Sequence, residues 1–237
     1  MDVSGVKALT FDVFGTVVDW RGTIMREGEE LGRAKDIEVD WPGFADAWRG
    51  GYGPSMDRVR HGDLPWTSVD TLHRMILDDL LKEYGILGLS DAEKDHLNRV
   101  WHRLTPWPDS VAGVSRLRRK FVVATLSNGN VALLTNMAKN AGLPWDCVLS
   151  AELAKHYKPD PEVYQTAADL LGLRPEQVLM VAAHKFDLEG AQAVGMKTVY
   201  VPRPLEFGPD VEVETDPDPS FDLFATDFYH LAGILGA

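Results

Sequence analysis

From residue 120 onward the chain repeats one unit: a short apolar run, a turn, an amphipathic stretch and a glycine. Residues 121–126 read as a strand, and 131–141 as a helix stopped by Gly142. Residues 147–149 form a short strand candidate, followed by a helix over 162–171 stopped by Gly172. A strand over 178–183, a helix over 188–194 stopped by Gly195 and a strand over 198–201 complete the series. Glycine just past a helix end supplies the left-handed cap. Runs that are apolar throughout, rather than on alternate positions, need cover on both faces, so the strands belong to a doubly wound, mostly parallel, Rossmann-like α/β sheet. Residues 7–14 are β-prone as well and are broken by Gly15. Ligands of such sheets sit at the carboxyl ends of the strands. That rule directs attention to Asp12, Ser127, Lys158 and the segment from His184 to Asp187.

Between the first strand and this series lies a block of another kind. Val69, Leu72, Ile76 and Leu80 recur at helical spacing, with Asp78, Asp79 and Lys82 turned away. Ser90 and Glu93 have the spacing of a capping box that opens a helix through Leu97, Trp101 and Leu104. Thr105, Pro106, Trp107 and Pro108 then return the chain to the sheet. The expected organisation is an α/β core from residues 1–18 and 107–237 with a helical cap, free of strands, inserted at 19–106. Residues 203–220, rich in Pro, Asp and Glu, read as a solvated loop without functional weight, ahead of a last strand and helix over 221–235.

The formal net charge of -12 repels phosphate backbones and anionic lipid, so neither nucleic acid nor a membrane is an expected partner. No run approaches the ~18 apolar residues of a membrane span, and the N-terminus lacks the basic and apolar regions of a secretory signal. Cys147 is the only cysteine and reads as a small buried core residue in a reducing compartment, which makes the cytoplasm the expected location. There is no Cys/His metal spacing, HExxH motif or P-loop, and no cofactor is expected. Ser127, His184 and Asp187 invite a Ser-His-Asp reading, but Ser127 lacks the Gly-x-Ser-x-Gly elbow.

Asp12 ends an apolar strand within Phe11-Asp12-Val13-Phe14-Gly15-Thr16. A carboxylate there is costly unless hydrogen-bonded or paired. It is either a nucleophile held by the following turn and the Thr16 hydroxyl, or a cap of the next helix.

Taken in order, Asp12-x-Phe14-Gly15-Thr16, Leu126-Ser127-Asn128, Lys158-Pro159-Asp160-Pro161 and Asp187 resemble the haloacid dehalogenase superfamily. The stretch from Lys158 to Tyr164 and the Ala45-Asp46-Ala47-Trp48-Arg49 segment resemble its L-2-haloacid dehalogenase group. The resemblance implies that Asp12 displaces halide from C2 of a short 2-haloalkanoic acid and forms an ester, which water then hydrolyses to a 2-hydroxy acid. It implies that Arg49 and Asn128 cradle the halide, that Ser127 and backbone amides bind the carboxylate, and that Phe14 and Tyr164 line the substrate site. It further implies that Lys158 holds Asp12 ionised, with Thr16 beside it, and that Asp187 places or deprotonates the water. A dimer is implied, no metal is, and fluoroacetate is among the candidate substrates.

Phosphatases of the superfamily carry a second Asp, the general acid, where this chain has Phe14, and a halide leaves without an acid. An Mg-dependent small-molecule phosphatase and a hydrolase of a strained small-ring carboxylate are the alternatives. The chain departs from the group at Ala182-Ala183-His184, where the group reads Ser-Ser-Asn. His184 is expected to compensate by bonding Lys158, Asp187 or the water and to share in base catalysis near neutral pH.

Overall fold

The computed structural model describes residues 3–237; Met1 and Asp2, part of the N-terminal stretch examined for a signal, lie outside the described residues. Strand β1 (Ala8–Phe11) is fully buried. The expected run over 7–14 is shorter as a strand, because the chain turns at Gly15, whose φ is 84°. A two-residue strand, β2 (Val18–Asp19), leads into helices α1 (Trp20–Lys35), α2 (Trp41–Gly50), α3 (Tyr52–Arg60), α4 (Val69–Glu83) and α5 (Asp91–Asn98). Asp19, Asp40, Ser68 and Ser90 cap four of these helices through side chains that accept backbone N–H bonds, and Ser90 and Glu93 complete the expected capping box. The helix expected to run through Trp101 instead tightens into a 3₁₀ turn at Arg99–His102.

The helical block is not free of strand: β3 (Thr105–Pro106) pairs antiparallel with β2 at its stem. In α4, Val69, Leu72 and Leu80 are buried as their spacing requires, while Ile76 is half-buried and His73 and Leu77 fill the inner face.

Helix α6 (Ser110–Leu117), β4 (Val122–Ser127), α7 (Val131–Ala141), β5 (Cys147–Ser150) and the short α8 (Ala151–Ala154) follow. Helix α9 (Pro161–Leu170), β6 (Val178–Ala182), α10 (Lys185–Ala193), β7 (Lys197–Tyr200), β8 (Leu223–Phe224) and α11 (Phe228–Ile234) complete the chain. Helix α7 ends on Gly142 at φ 69°, where a side chain would strain the left-handed cap. The six-stranded sheet has the order β5-β4-β1-β6-β7-β8, and each neighbouring pair is parallel. Cys147, on edge strand β5, is half-buried rather than buried.

With β4 on one side of β1 and β6 on the other, the winding reverses at β1, which opens a crevice beyond its carboxyl end. The helices of the block pack over that end. Phe11, Val13 and Phe14 of the core share one apolar cluster with Phe44, Trp48 and Trp101 of the block. Among the described residues, no helix is long and apolar enough to cross a membrane.

A buried ion pair ties the far loop to this arrangement. Asp109, at the start of α6, accepts two bonds from Arg203, at 2.8 and 3.0 Å, and one from the Phe228 N–H at 2.8 Å. Arg203 also donates to the Thr16 carbonyl. Removing one partner strands the other charge in the interior, so Asp109→Ala is expected to lower unfolding stability by about 3–5 kcal/mol. Urea denaturation of the variant beside the wild type measures this.

Candidate active site

Asp12 follows β1, and both its oxygens are engaged. Oδ1 accepts from Lys158 Nζ at 2.9 Å. Oδ2 accepts from Thr16 Oγ1 at 2.7 Å and lies 3.0 Å from His184 Nδ1. Thr16 is itself held by the Ala183 N–H, which bonds its hydroxyl at 2.9 Å.

Lys158 uses all three of its donors: beyond Asp12, Nζ bonds Asp187 Oδ2 at 2.5 Å and the Leu126 carbonyl at 2.8 Å. Tyr164 donates to the other Asp187 oxygen at 2.6 Å. Asn128 Oδ1 accepts the Lys158 backbone N–H at 2.7 Å, which fixes the loop that carries the ammonium. Residues from the ends of β1, β4 and β6 and from the turn before α9 thus converge on one buried charge.

The geometry sets the protonation states. Burial alone would raise Asp12, but the Lys158 ammonium, then His184 and Thr16, outweigh it and hold the carboxylate far below its ordinary range. Asp187 is pushed up by burial and by the charge on Asp12, against the pull of Lys158. His184 is also buried, which disfavours its charge, yet Glu206 and Asp12 on either side raise it to about 10. Its Nε2 lies 3.0 Å from both Glu206 oxygens.

Two expectations are corrected here. His184 bonds neither Lys158 nor Asp187 but bridges Asp12 and Glu206, and as an imidazolium at neutral pH it donates protons rather than accepting them. Residues 203–220 do carry weight, because Glu206 is 3% exposed and anchored by Trp20 Nε1 at 3.1 Å as well as by His184. A Cβ at Gly15 would lie 2.0 Å from Glu206 Oε1, so the glycine is needed for space as well as for its positive φ. No local signal separates Glu206 from Glu212 or Glu214 in the same acidic loop; only the folded chain brings it to His184.

The expected substrate side chains fall into two groups. Tyr164 is fully buried and its hydroxyl is committed to Asp187, so it stands behind the site as a positioning residue. Ser127 Oγ accepts the Gly129 N–H at 3.2 Å. Arg49 stacks over Tyr52, with Cζ 4.6 Å from the ring centroid, and Asn128 Nδ2 donates to the Met56 sulfur at 3.5 Å. Phe14 meets the edges of Tyr52, His73 and Trp101 at centroid distances of 6.5, 6.3 and 5.6 Å. Tyr52 was not singled out by its sequence context. Among the described residues, no group of three or more His, Cys, Asp or Glu side chains is placed to hold a metal ion.

A parallel sheet with a carboxylate, a lysine and a second carboxylate at its strand ends, under an inserted helical block, defines the class. The chain belongs to the haloacid dehalogenase-like hydrolase family, whose sequence profile matches residues 6–195. Within it, the chain is 31% identical over 224 residues to (S)-2-haloacid dehalogenase 4A of Burkholderia cepacia, covering 87% of this chain and 90% of that one. It is 30% identical over 216 residues to (S)-2-haloacid dehalogenase 1 of Pseudomonas sp. (strain CBS-3), covering 84% and 85% respectively. The crystal structure of the L-2-haloacid dehalogenase PA0810 superposes with a TM-score of 0.94 at 44% identity, covering 98% of this chain and 99% of that one. The defluorinating L-2-haloacid dehalogenase Rha0230 matches with the same TM-score of 0.94 at 45% identity, covering 98% and 96%.

The His184 environment has a consequence in pH. A histidine raised from 6.5 to about 10 stabilises the fold fully below 6.5, and that contribution is lost as pH rises through 10. Glu206→Gln removes the charge that contributes most to holding the imidazolium. The alkaline loss of His184 charge is expected to move down by about 1–3 pH units in the variant. NMR titration of the His184 ring and melting temperature against pH read it directly. A ring that titrates identically in both proteins would contradict the assignment.

Proposed function

We propose that the chain hydrolyses short 2-haloalkanoic acids to 2-hydroxy acids, with residues 19–106 acting as the cap over the α/β core. The observation that carries this reading is an ionised Asp12 beneath an aromatic lid, with Phe14 where a phosphatase of the family would need a proton donor. Phe14 is 4% exposed and wedged among rings, and it can neither protonate a leaving oxygen nor bind phosphate. The (S)-2-haloacid dehalogenases among the relatives support the same substrate class.

Asp12 Oδ1 has one donor and Oδ2 has two, so Oδ1 keeps the lone pair for attack. Its electron pair forms the bond to C2 while the carbon–halogen pair leaves with the halide. Alignment of carboxylate, carbon and halogen removes up to roughly 7–11 kcal/mol of the barrier. Arg49 and Asn128 face the halide, and the backbone after β4 with Ser127 receives the substrate carboxylate.

In the ester, Oδ2 becomes a carbonyl oxygen that already has the Thr16 hydroxyl and the His184 N–H aimed at it. Those donors stabilise the oxyanion formed when water adds to the Asp12 carbonyl carbon. Asp187 takes the proton of that water, and its raised affinity for protons suits it to the task. Collapse of the adduct expels the hydroxy acid as its alkoxide and leaves Asp12 as the acid with the second proton of the water, which is lost to solvent as the carboxylate is restored. The proton held by Asp187 passes to the departing alkoxide.

Halide release from 2-chloropropionate, insensitive to EDTA and with no turnover of p-nitrophenyl phosphate with Mg²⁺, is the expected result. Asp12→Asn should fold and lose turnover by at least about 10⁴-fold. In a single turnover in ¹⁸O water, the label should enter Asp12 and not the product. Label appearing first in the hydroxy acid would mean direct attack by water and no ester. Fluoroacetate belongs in the same assay, because a 45%-identical relative is a defluorinating enzyme.

A further inference from the structure

Three side chains in the cap carry buried nitrogens that find no hydrogen-bond partner among the described residues: Arg49 Nε, both ring nitrogens of His73, and Trp101 Nε1. They are neighbours. His73 stacks on Trp101 at a centroid distance of 4.0 Å and 19° between planes, and lies 5.5 Å from the Tyr52 ring over which Arg49 is placed. Trp48 and Phe14 close the cage, each 6.3 Å from the imidazole. His73 itself is 1% exposed.

Folded chains seldom leave buried donors unpaired, and a cluster of them marks a place where a ligand supplies the acceptor. Arg49 and Trp101 have only hydrogens to offer, and a neutral imidazole adds one more while its other nitrogen stays an acceptor. Burial, aided by the nearby positive charge of Arg49 and opposed by Asp70, pushes His73 down to about 3, so its ring is neutral at working pH. The complement of a small cage with several donors, one permanent cation and aromatic walls is a small anion without directional demands.

The location selects which anion. The Asp12 charge acts on Tyr52, the ring over which Arg49 is placed, so this cluster lies near the nucleophile, and in-line displacement drives the leaving group away from the attacking carboxylate. We propose that His73 is a catalytic residue whose ring N–H, beside Arg49 and within the Tyr52–Trp101 stack, donates to the departing halide; the proposal rests on the dehalogenase reading above. A neutral donor strengthens as charge develops on the halogen but adds no second cation that would retain the ion afterwards.

The test compares kcat/KM for chloroacetate and bromoacetate in the wild type, His73→Phe and His73→Gln, together with inhibition by added chloride. Halide release by the wild type decides the underlying reading by itself, independently of the variants. Given that release, His73→Phe is expected to lose about 10²-fold or more on chloroacetate and only about 10-fold on bromoacetate, because chloride leaves less readily and depends more on donors. Chloride inhibition should weaken in parallel, and His73→Gln, which keeps an N–H, should recover part of the loss on chloroacetate. Should His73→Phe fail to fold by circular dichroism, His73→Met, flexible and without a donor, takes its place. Equal losses on both substrates with unchanged chloride inhibition would overturn the proposal, since that is what a packing role alone produces.

Discussion

The Lys158 ammonium, buried between Asp12 and Asp187, is the interaction on which the rest of the structure depends. A lysine in a protein interior sheds its proton unless opposite charges offset the loss of water, and here two carboxylates and a carbonyl do so. In return the ammonium holds Asp12 ionised in a place where burial would neutralise it. The partners arrive from three strand ends and from the loop before α9, so the charge also fixes how those loops meet. Loss of any one partner leaves the others as uncompensated charges, which makes the set cooperative rather than a sum of pairs.

A second cation extends that arrangement. His184, placed between Asp12 and Glu206, gives Asp12 a donor on the oxygen Lys158 does not touch. The proposed ester step removes the charge on Asp12, and the donors on Oδ2 then face a carbonyl. They need not reorganise for the second half of the reaction, which is the condition under which fixed dipoles are most effective. Glu206 reaches this position because Trp20 holds it, because Gly15 leaves the space open and because Arg203 pins its loop to Asp109.

The cap contributes dryness and shape. Trp48, Trp101, Tyr52 and Phe14 meet edge to face and are buried, so the charges beside them act in a low dielectric. The same rings leave few polar groups unpaired, among them the donors Arg49 Nε and Trp101 Nε1. In a chain of net charge -12, the proposed halide contact relies on these local donors.

The order of strands and helices was legible in the chain because fully buried parallel strands are apolar throughout, and glycine marks where each helix must end. The meeting of Asp12, Thr16, Lys158 and Asp187 was legible too, since each sits at a strand end, in a loop or in the first turn of a helix whose position follows from that order. Glu206, Tyr52 and His73 were not. Glu206 lies in an acidic loop where nothing local distinguishes it, and Tyr52 and His73 occupy inner helical faces that read as ordinary packing. Tertiary contacts also set the partners of residues the sequence had singled out: the Tyr164 hydroxyl bonds Asp187, and His184 lies between Asp12 and Glu206. Periodicity reports which face of an element is buried. Which polar groups share that burial depends on distances between segments as far apart as Trp20 and Glu206, separated by 186 residues, and only the folded chain sets those distances.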